Sequence, residues 1–267
     1  MSFSSANAKT VVSRRDTLGI FDIFAPIVFG LVLLGAWIAV TTLGKIPAFI
    51  LPTPQAVVRA AMELFASATF WPYLGNTLAE AIAGTVLGLV VSLPLAFTIH
   101  HLPWLNAAVQ PFLGASQAVP AVALAPLLLI WLPASFLAIV VLCAIMVFFP
   151  ILVSTTVGLR HLEGHILEAA MLDGADTWQL LKYMELPLVL PSLMGGIRNG
   201  ITLSITGAVV GEMVIGGHGM GTLITLQSHN VDTSGMFVSL FTICTLAAGI
   251  YLAVYRLERH SKTVNAV

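Results

Sequence analysis

Residues 135–159 read SFLAIVVLCAIMVFFPILVSTTVGL, a run without a charged side chain and longer than the roughly 20 apolar residues a helix needs to cross a bilayer. Outward from it, the charge-free interval extends from Ala81 to Leu159 and has room for three such spans. Over all 267 residues, 58% are hydrophobic and 9% charged, against roughly 25% charged in an ordinary soluble domain. Hydrocarbon offers no partner to a backbone N–H or C=O, so a chain of this kind crosses as helices. The expected fold class is all-α, a polytopic transmembrane helical bundle embedded in membrane lipid.

Apolar length and Pro, Gly and polar punctuation divide the chain into six spans, near 22–42, 76–99, 106–131, 135–158, 188–214 and 236–255. The apolar run Ile23 to Thr41 is longer than the ~7–15-residue core of a cleavable signal, so an uncleaved first helix is expected. Cations favour the cytoplasmic side. Placing the N-terminus there gathers Lys9, Arg14, Arg15, Arg160, Lys182, Arg256, Arg259 and Lys262 in the cytoplasm and leaves Lys45 and Arg59 outside. The result is a cytoplasmic segment 1–21, a membrane domain 22–258 and a cytoplasmic tail 259–267. Ile50 to Phe70 reads as a short external amphipathic helix, packed on the bundle as a connection. Pro111, Pro120 and Pro126 each remove a backbone donor and kink the third span.

The net charge of −1 gives no basic surface for nucleic acid. Cys143 and Cys244 lie in apolar runs, where a small hydrophobe is the ordinary role and no disulfide or metal site is expected. Charge gathers instead between the fourth and fifth spans. The loop 160–186 holds five of the twelve acids, Glu163, Glu168, Asp173, Asp176 and Glu185. Gly174 reads as the joint between two short helices, because glycine accepts a positive φ. Asp176 is a candidate cap for the second helix, and Leu186-Pro187 is expected to end it.

The run Glu168-Ala169-Ala170, three residues, Gly174, nine residues, Met184-Glu185-Leu186-Pro187 resembles the EAA loop of binding-protein-dependent ABC importer permeases. The resemblance extends over roughly residues 46 to 258. It includes Ile50-Leu51-Pro52-Thr53-Pro54, Val119-Pro120-Ala121, Phe148-Phe149-Pro150 and Gly211-Glu212-Met213 followed by Gly216-Gly217 and Gly219-Met220-Gly221. These look like the nitrate, sulfonate and taurine branch, whose relatives also import thiamine-pyrimidine precursors, riboflavin and bicarbonate. Met184 and Met220 depart from the family's usual Ile and Leu, and Asp173 and Asp176 make the loop more acidic.

The resemblance implies a type I importer permease in a bacterial inner membrane. Its expected partners are a second permease subunit, in the simplest case a copy of this chain, two cytoplasmic ATPase subunits and an external solute-binding protein. Glu168, Ala169, Ala170, Asp173, Gly174 and Ala175 would meet the ATPase, which holds the ATP and Mg. No cofactor or catalytic residue is expected on this chain, which has no G-x-x-x-x-G-K-[ST] loop.

Ser116, Gln117, Ser204 and Thr206, polar positions on spans three and five, are candidates to line a translocation path, with packing as the competing role. Glu212 is read either as a path or mouth residue or as a plain helix-end acid. Arg198 either snorkels or pairs across the bundle, and Gly216 to Gly221 reads as a flexible external turn. His161 and His165, without a third ligand, read as solvated surface. The alternative function is an ion-coupled secondary transporter, which would show buried charges facing the interior and internal repeats. An intramembrane enzyme would need a catalytic pair or metal motif that the sequence does not contain.

Overall fold

The computed structural model describes residues 18–44, 46–115, 120–162, 168 and 170–264, and among these it is helical with short connections. The helices are α1 (Leu18–Leu43), α2 (Pro54–Ala66), α3 (Phe70–His101), α4 (Pro103–Ala115), α5 (Ala125–Trp131), α6 (Ser135–Arg160), α7 (Leu186–Ile215), α8 (Met220–His229) and α9 (Thr233–Val264). Four helical stretches among the described residues are long and apolar enough to cross a membrane: Phe70–His101, Ser135–Arg160, Thr177–Ile215 and Thr233–Glu258. Shorter apolar helices run over Ile27–Leu43 and Val122–Trp131.

The expected third span, 106–131, is not one helix. α4 stops at Ala115, Pro120 is extended, and a 3-10 turn over Ala121–Leu124 leads into α5. Pro120 and Pro126 lack the N–H groups that would carry a helix through this region. Pro111, by contrast, sits inside α4. The Ile50 to Phe70 segment does form a helix, α2. Thr53 caps it by accepting from the Ala56 N–H, Pro54 opens it, and it packs on α9 and α3.

α6 is the centre of the bundle, and α3 and α7 pack against it and against each other. Lipid is as apolar as leucine, so helices associate in a bilayer through close van der Waals packing, and small residues permit it. A Cβ on Gly84 of α3 would run into Cys143 and come within 2.9 Å of the Val140 carbonyl. One on Gly158 of α6 would lie 2.6 Å from Ser192 Cβ, and one on Gly200 of α7 would lie 3.0 Å from Val147. Ala81, Ile139, Cys143, Ile205, Ala208, Met220 and Ile243 close one core region, and Val147, Ile151 and Leu193 close another.

α1 is different. From Ile27 to Leu34 it is exposed on every side, and only its Trp37 end is tied in. The Trp37 Nε1–H donates to the Pro52 carbonyl at 3.0 Å, and the indole stacks on Phe237.

Gly84→Ala and Gly158→Ala are expected to lower the thermal midpoint of the detergent-solubilised chain, in line with the roughly 1–3 kcal/mol cost of overpacking. Gly195→Ala, which meets nothing within 4 Å, is expected to leave the midpoint unchanged or raise it. Scanning fluorimetry of the three variants checks the contrast.

Candidate functional site: the acidic loop and the two ends of α7

The loop between α6 and α7 is built by local hydrogen bonding. Glu168 and Ala170 to Leu172 are helical. Gly174 has φ 89°, its N–H donates to the Met171 carbonyl at 3.0 Å, and the Ala175 N–H donates to the Ala170 carbonyl at 3.0 Å. That pair of bonds is a Schellman ending, which turns the chain at the glycine as its type predicted. Ala169 and residues 163–167, including Glu163 and His165, lie outside the described residues. Asp176 caps the next turn, Thr177–Leu180, by a reciprocal pair. Its Oδ1 accepts from the Gln179 N–H at 2.7 Å, and the Asp176 N–H donates to Gln179 Oε1 at 3.0 Å.

The expected break at Leu186-Pro187 is absent. Leu181–Glu185 forms a single π turn that runs into α7, so Thr177–Ile215 is one continuous helix. Pro187 lacks the N–H that an α-helix would return to residue 183, and the wider π turn just before it changes the backbone register. The loop therefore carries one separate helical arm, before Gly174. The second arm is the beginning of α7.

Around this joint the side chains divide. Glu168, Asp173 and Asp176 are exposed, and so are the apolar Met171, Trp178, Tyr183 and above all Leu172, which is 89% exposed. Glu185 turns the other way. It is buried, with Oε2 3.2 Å from His101 Nε2 at the end of α3. Nearby, the Arg160 guanidinium donates to Asn106 Oδ1, joining the end of α6 to α4.

At the opposite end of α7, Glu212 is 1% exposed. Its Oε1 accepts from Thr77 Oγ1 at 2.7 Å, and its Oε2 accepts from the Gly221 N–H at 2.5 Å. Thr77 Oγ1 in turn accepts from the Met220 N–H at 2.8 Å. The Glu80 carboxyl lies against that of Glu212, and Asn76 donates to the His218 carbonyl at 2.9 Å. Glu212 thus caps α8 from another helix, supplying an acceptor to the Gly221 N–H in its first turn. A Cβ on Gly219 would overlap the carboxylate, so the cap requires that glycine. The expected flexible turn is instead a sharp one, with φ 84° at Gly216 and 139° at Gly217, pinned at its far side.

The path candidates separate in the same way. Ser116 and Gln117 lie outside the described residues. Ser204 is fully buried and donates to the Ala81 carbonyl at 2.7 Å, joining α7 to α3. Thr206 is exposed and donates to the Thr202 carbonyl one turn back. Arg198 pairs across the bundle, 2.9 Å from Glu258 on α9, with the Tyr251 and Tyr255 rings at 5.0 and 5.4 Å. Thr77 and Asn76 were missed in the sequence. The available signal was their place one turn ahead of Glu80, facing a glycine-rich segment that needed donors or acceptors.

Removing the Glu212 carboxyl leaves the Gly221 N–H unpaired in a buried site, a loss of roughly 1–3 kcal/mol. Glu212→Ala is expected to accelerate amide exchange at Met220 to Leu223 by roughly 5- to 150-fold, and Glu212→Gln by less, because the amide oxygen still accepts. Hydrogen-exchange mass spectrometry reads both.

Comparison with known proteins bears on the same elements. Residues 84–262 match the family described as binding-protein-dependent transport system inner membrane component. The chain is 42% identical over 229 residues to the riboflavin transport system permease protein RibX of Chloroflexus aurantiacus, covering 86% of this chain and 85% of that protein. It is 30% identical over 239 residues to the formylaminopyrimidine transport permease protein ThiX of Halalkalibacterium halodurans, covering 89% and 94%. Identity to the taurine transport system permease protein TauC of Escherichia coli is 24% over 253 residues, covering 93% and 90%. The fold is similar to that of a chain in inward-facing structures of the MetNI methionine ABC transporter, with a TM-score of 0.61 and 19% identity over 79% of this chain and 98% of that one. The chain belongs to the family of inner membrane components of binding-protein-dependent transport systems, the permease subunits of ABC transporters.

Proposed function

We propose that this permease works as one of a pair of membrane subunits, with two ATPase subunits docked on its acidic loop and an external binding protein delivering a small vitamin-like heterocycle. The observation that carries the docking is the loop surface. Leu172, Met171 and Trp178 stand exposed among Glu168, Asp173 and Asp176, on an element capped at both turns and continuous with α7. Exposed apolar side chains within a charged rim are what a protein partner buries. Glu168 and Asp173 offer pairing to cations on that partner, and Ala170 and Ala175 keep the surface low. In this reading the loop and both termini are cytoplasmic. ATP and Mg belong to the partner, and this chain supplies no catalytic group.

Thr206, exposed on α7, remains the described candidate for the path, alongside Ser116 and Gln117. The substrate class rests on the 42% identity to the riboflavin permease, well above the 24% to the taurine permease.

The test is retention of the ATPase by the affinity-purified chain in nanodiscs. Leu172→Asp is expected to weaken retention by about tenfold or more, the loss of about 1.4 kcal/mol or more that an anchor side chain provides. Gly174→Val, which strains a positive φ, is expected to act in the same direction. Full retention by both variants, in chains with unchanged melting, overturns the docking reading. Uptake of labelled riboflavin by cells carrying the complete transporter, with and without this chain, tests the substrate class.

A further inference from the structure

The helix that leaves the loop has a soft joint at each end. At the loop end, Leu181–Glu185 is a π turn, a single-turn break in the i→i−4 ladder of the kind at which helices bend. At the other end, Gly216 and Gly217 turn the chain with positive φ, so the covalent connection alone leaves α8 free to swing relative to α7. Each joint is bridged by a carboxylate to the same neighbouring helix, α3.

Glu185, the last residue of the π turn, is 3% exposed and reaches His101 at the end of α3, 3.2 Å away. Glu212, near the end of α7, reaches Thr77 near the start of α3, and the pair of them hold the Gly221 and Met220 N–H groups that open α8. Between these ends, Ser204 on α7 donates to the Ala81 carbonyl of α3. α3 is a single helix from Phe70 to His101, so both contacts are made to one continuous strut.

We infer that Glu185 and Glu212 are positioning residues that brace α7 to α3 at both ends of the bundle, so that displacement of the 160–186 loop is delivered to α8 rather than lost in the two joints. The inference rests on the reading of that loop as the ATPase-coupling element. It assigns to His101 and Glu185 a role that docking residues do not have. Glu185 is buried and turned toward His101 rather than toward the loop's exposed face, and their contact sets how much of the loop's movement crosses the membrane.

The experiment is hydrogen exchange on the complete transporter in nanodiscs, this chain with its ATPase subunits and binding protein, free and trapped with Mg-ATP and vanadate. In the unmodified complex, trapping is expected to change exchange in both the loop (170–180) and α8 (220–229). In Glu185→Gln and His101→Leu the loop response is expected to stay while the α8 response falls at least about fivefold, the lower bound of a typical coupling effect. The exchanged pair His101→Glu with Glu185→His is expected to restore at least half of it, which a general loss of stability would not allow.

Where Glu185→Gln melts early, Glu185→Asp replaces it. An α8 response of full size in both single variants, or an exchanged pair that retains its ATPase without recovery at α8, overturns the brace. A loop that does not respond to trapping in the unmodified complex overturns the coupling reading itself, a distinct result.

Discussion

Helices in a bilayer gain nothing from hiding apolar surface from one another, because lipid already hides it. What holds them is the closeness of their backbones. In this permease that constraint falls on α6, whose neighbours α3 and α7 press against it where glycines leave room. At Gly84 and Gly158 even one methyl group has no place to go. The rest of the architecture follows from these contacts. With α3 and α7 fixed at close range on one central helix, residues far apart in sequence, such as Thr77 and Glu212, reach hydrogen-bonding distance.

The same absence of water governs the polar side chains. A carboxylate or guanidinium among helices must be met by partners within the protein. Glu212 meets Thr77 and the Gly221 N–H at the head of α8, and Arg198 meets Glu258 and two tyrosine faces on α9. Both arrangements convert a costly group into a fixed contact between helices. Burial of Glu212 is therefore bound up with the position of α8, and the tightness of Gly219 against the carboxylate makes that position specific.

The legible part of this fold was what depends on composition and local chemistry. Apolar length marked α1, α3, α6, α7 and α9. Gly174 and Asp176 announced their turn and cap because those residue types serve few other purposes at a helix joint. Two features lay beyond local signals for the same cause. Pro187 is a local signal for a break, but the π turn before it lets the helix continue, and nothing in the residue types of Leu181 to Glu185 marks that turn. Glu212 near the end of its span looked like an interfacial acid because its partners, Thr77 and the Gly221 N–H, come from elsewhere in the chain. Family resemblance pointed to Gly211-Glu212-Met213 and the glycines after it, yet a motif gives the residues and not the bonds.

The broken stretch between α4 and α5 carries the remaining argument. Pro120 is extended, the backbone from Ala121 to Leu124 forms only a 3-10 turn, and Pro126 removes another donor one turn later. Pro120 and Val122 are exposed on the chain taken alone. Lipid cannot satisfy backbone groups that have left regular helix, so such a segment at membrane depth lies against protein or lines a water-filled path. Ser204 and Glu212 of α7 spend their side chains on α3 and on the head of α8. Ala121 to Leu124 is thus the place where the described backbone leaves regular α-helix beside the packed core of α6.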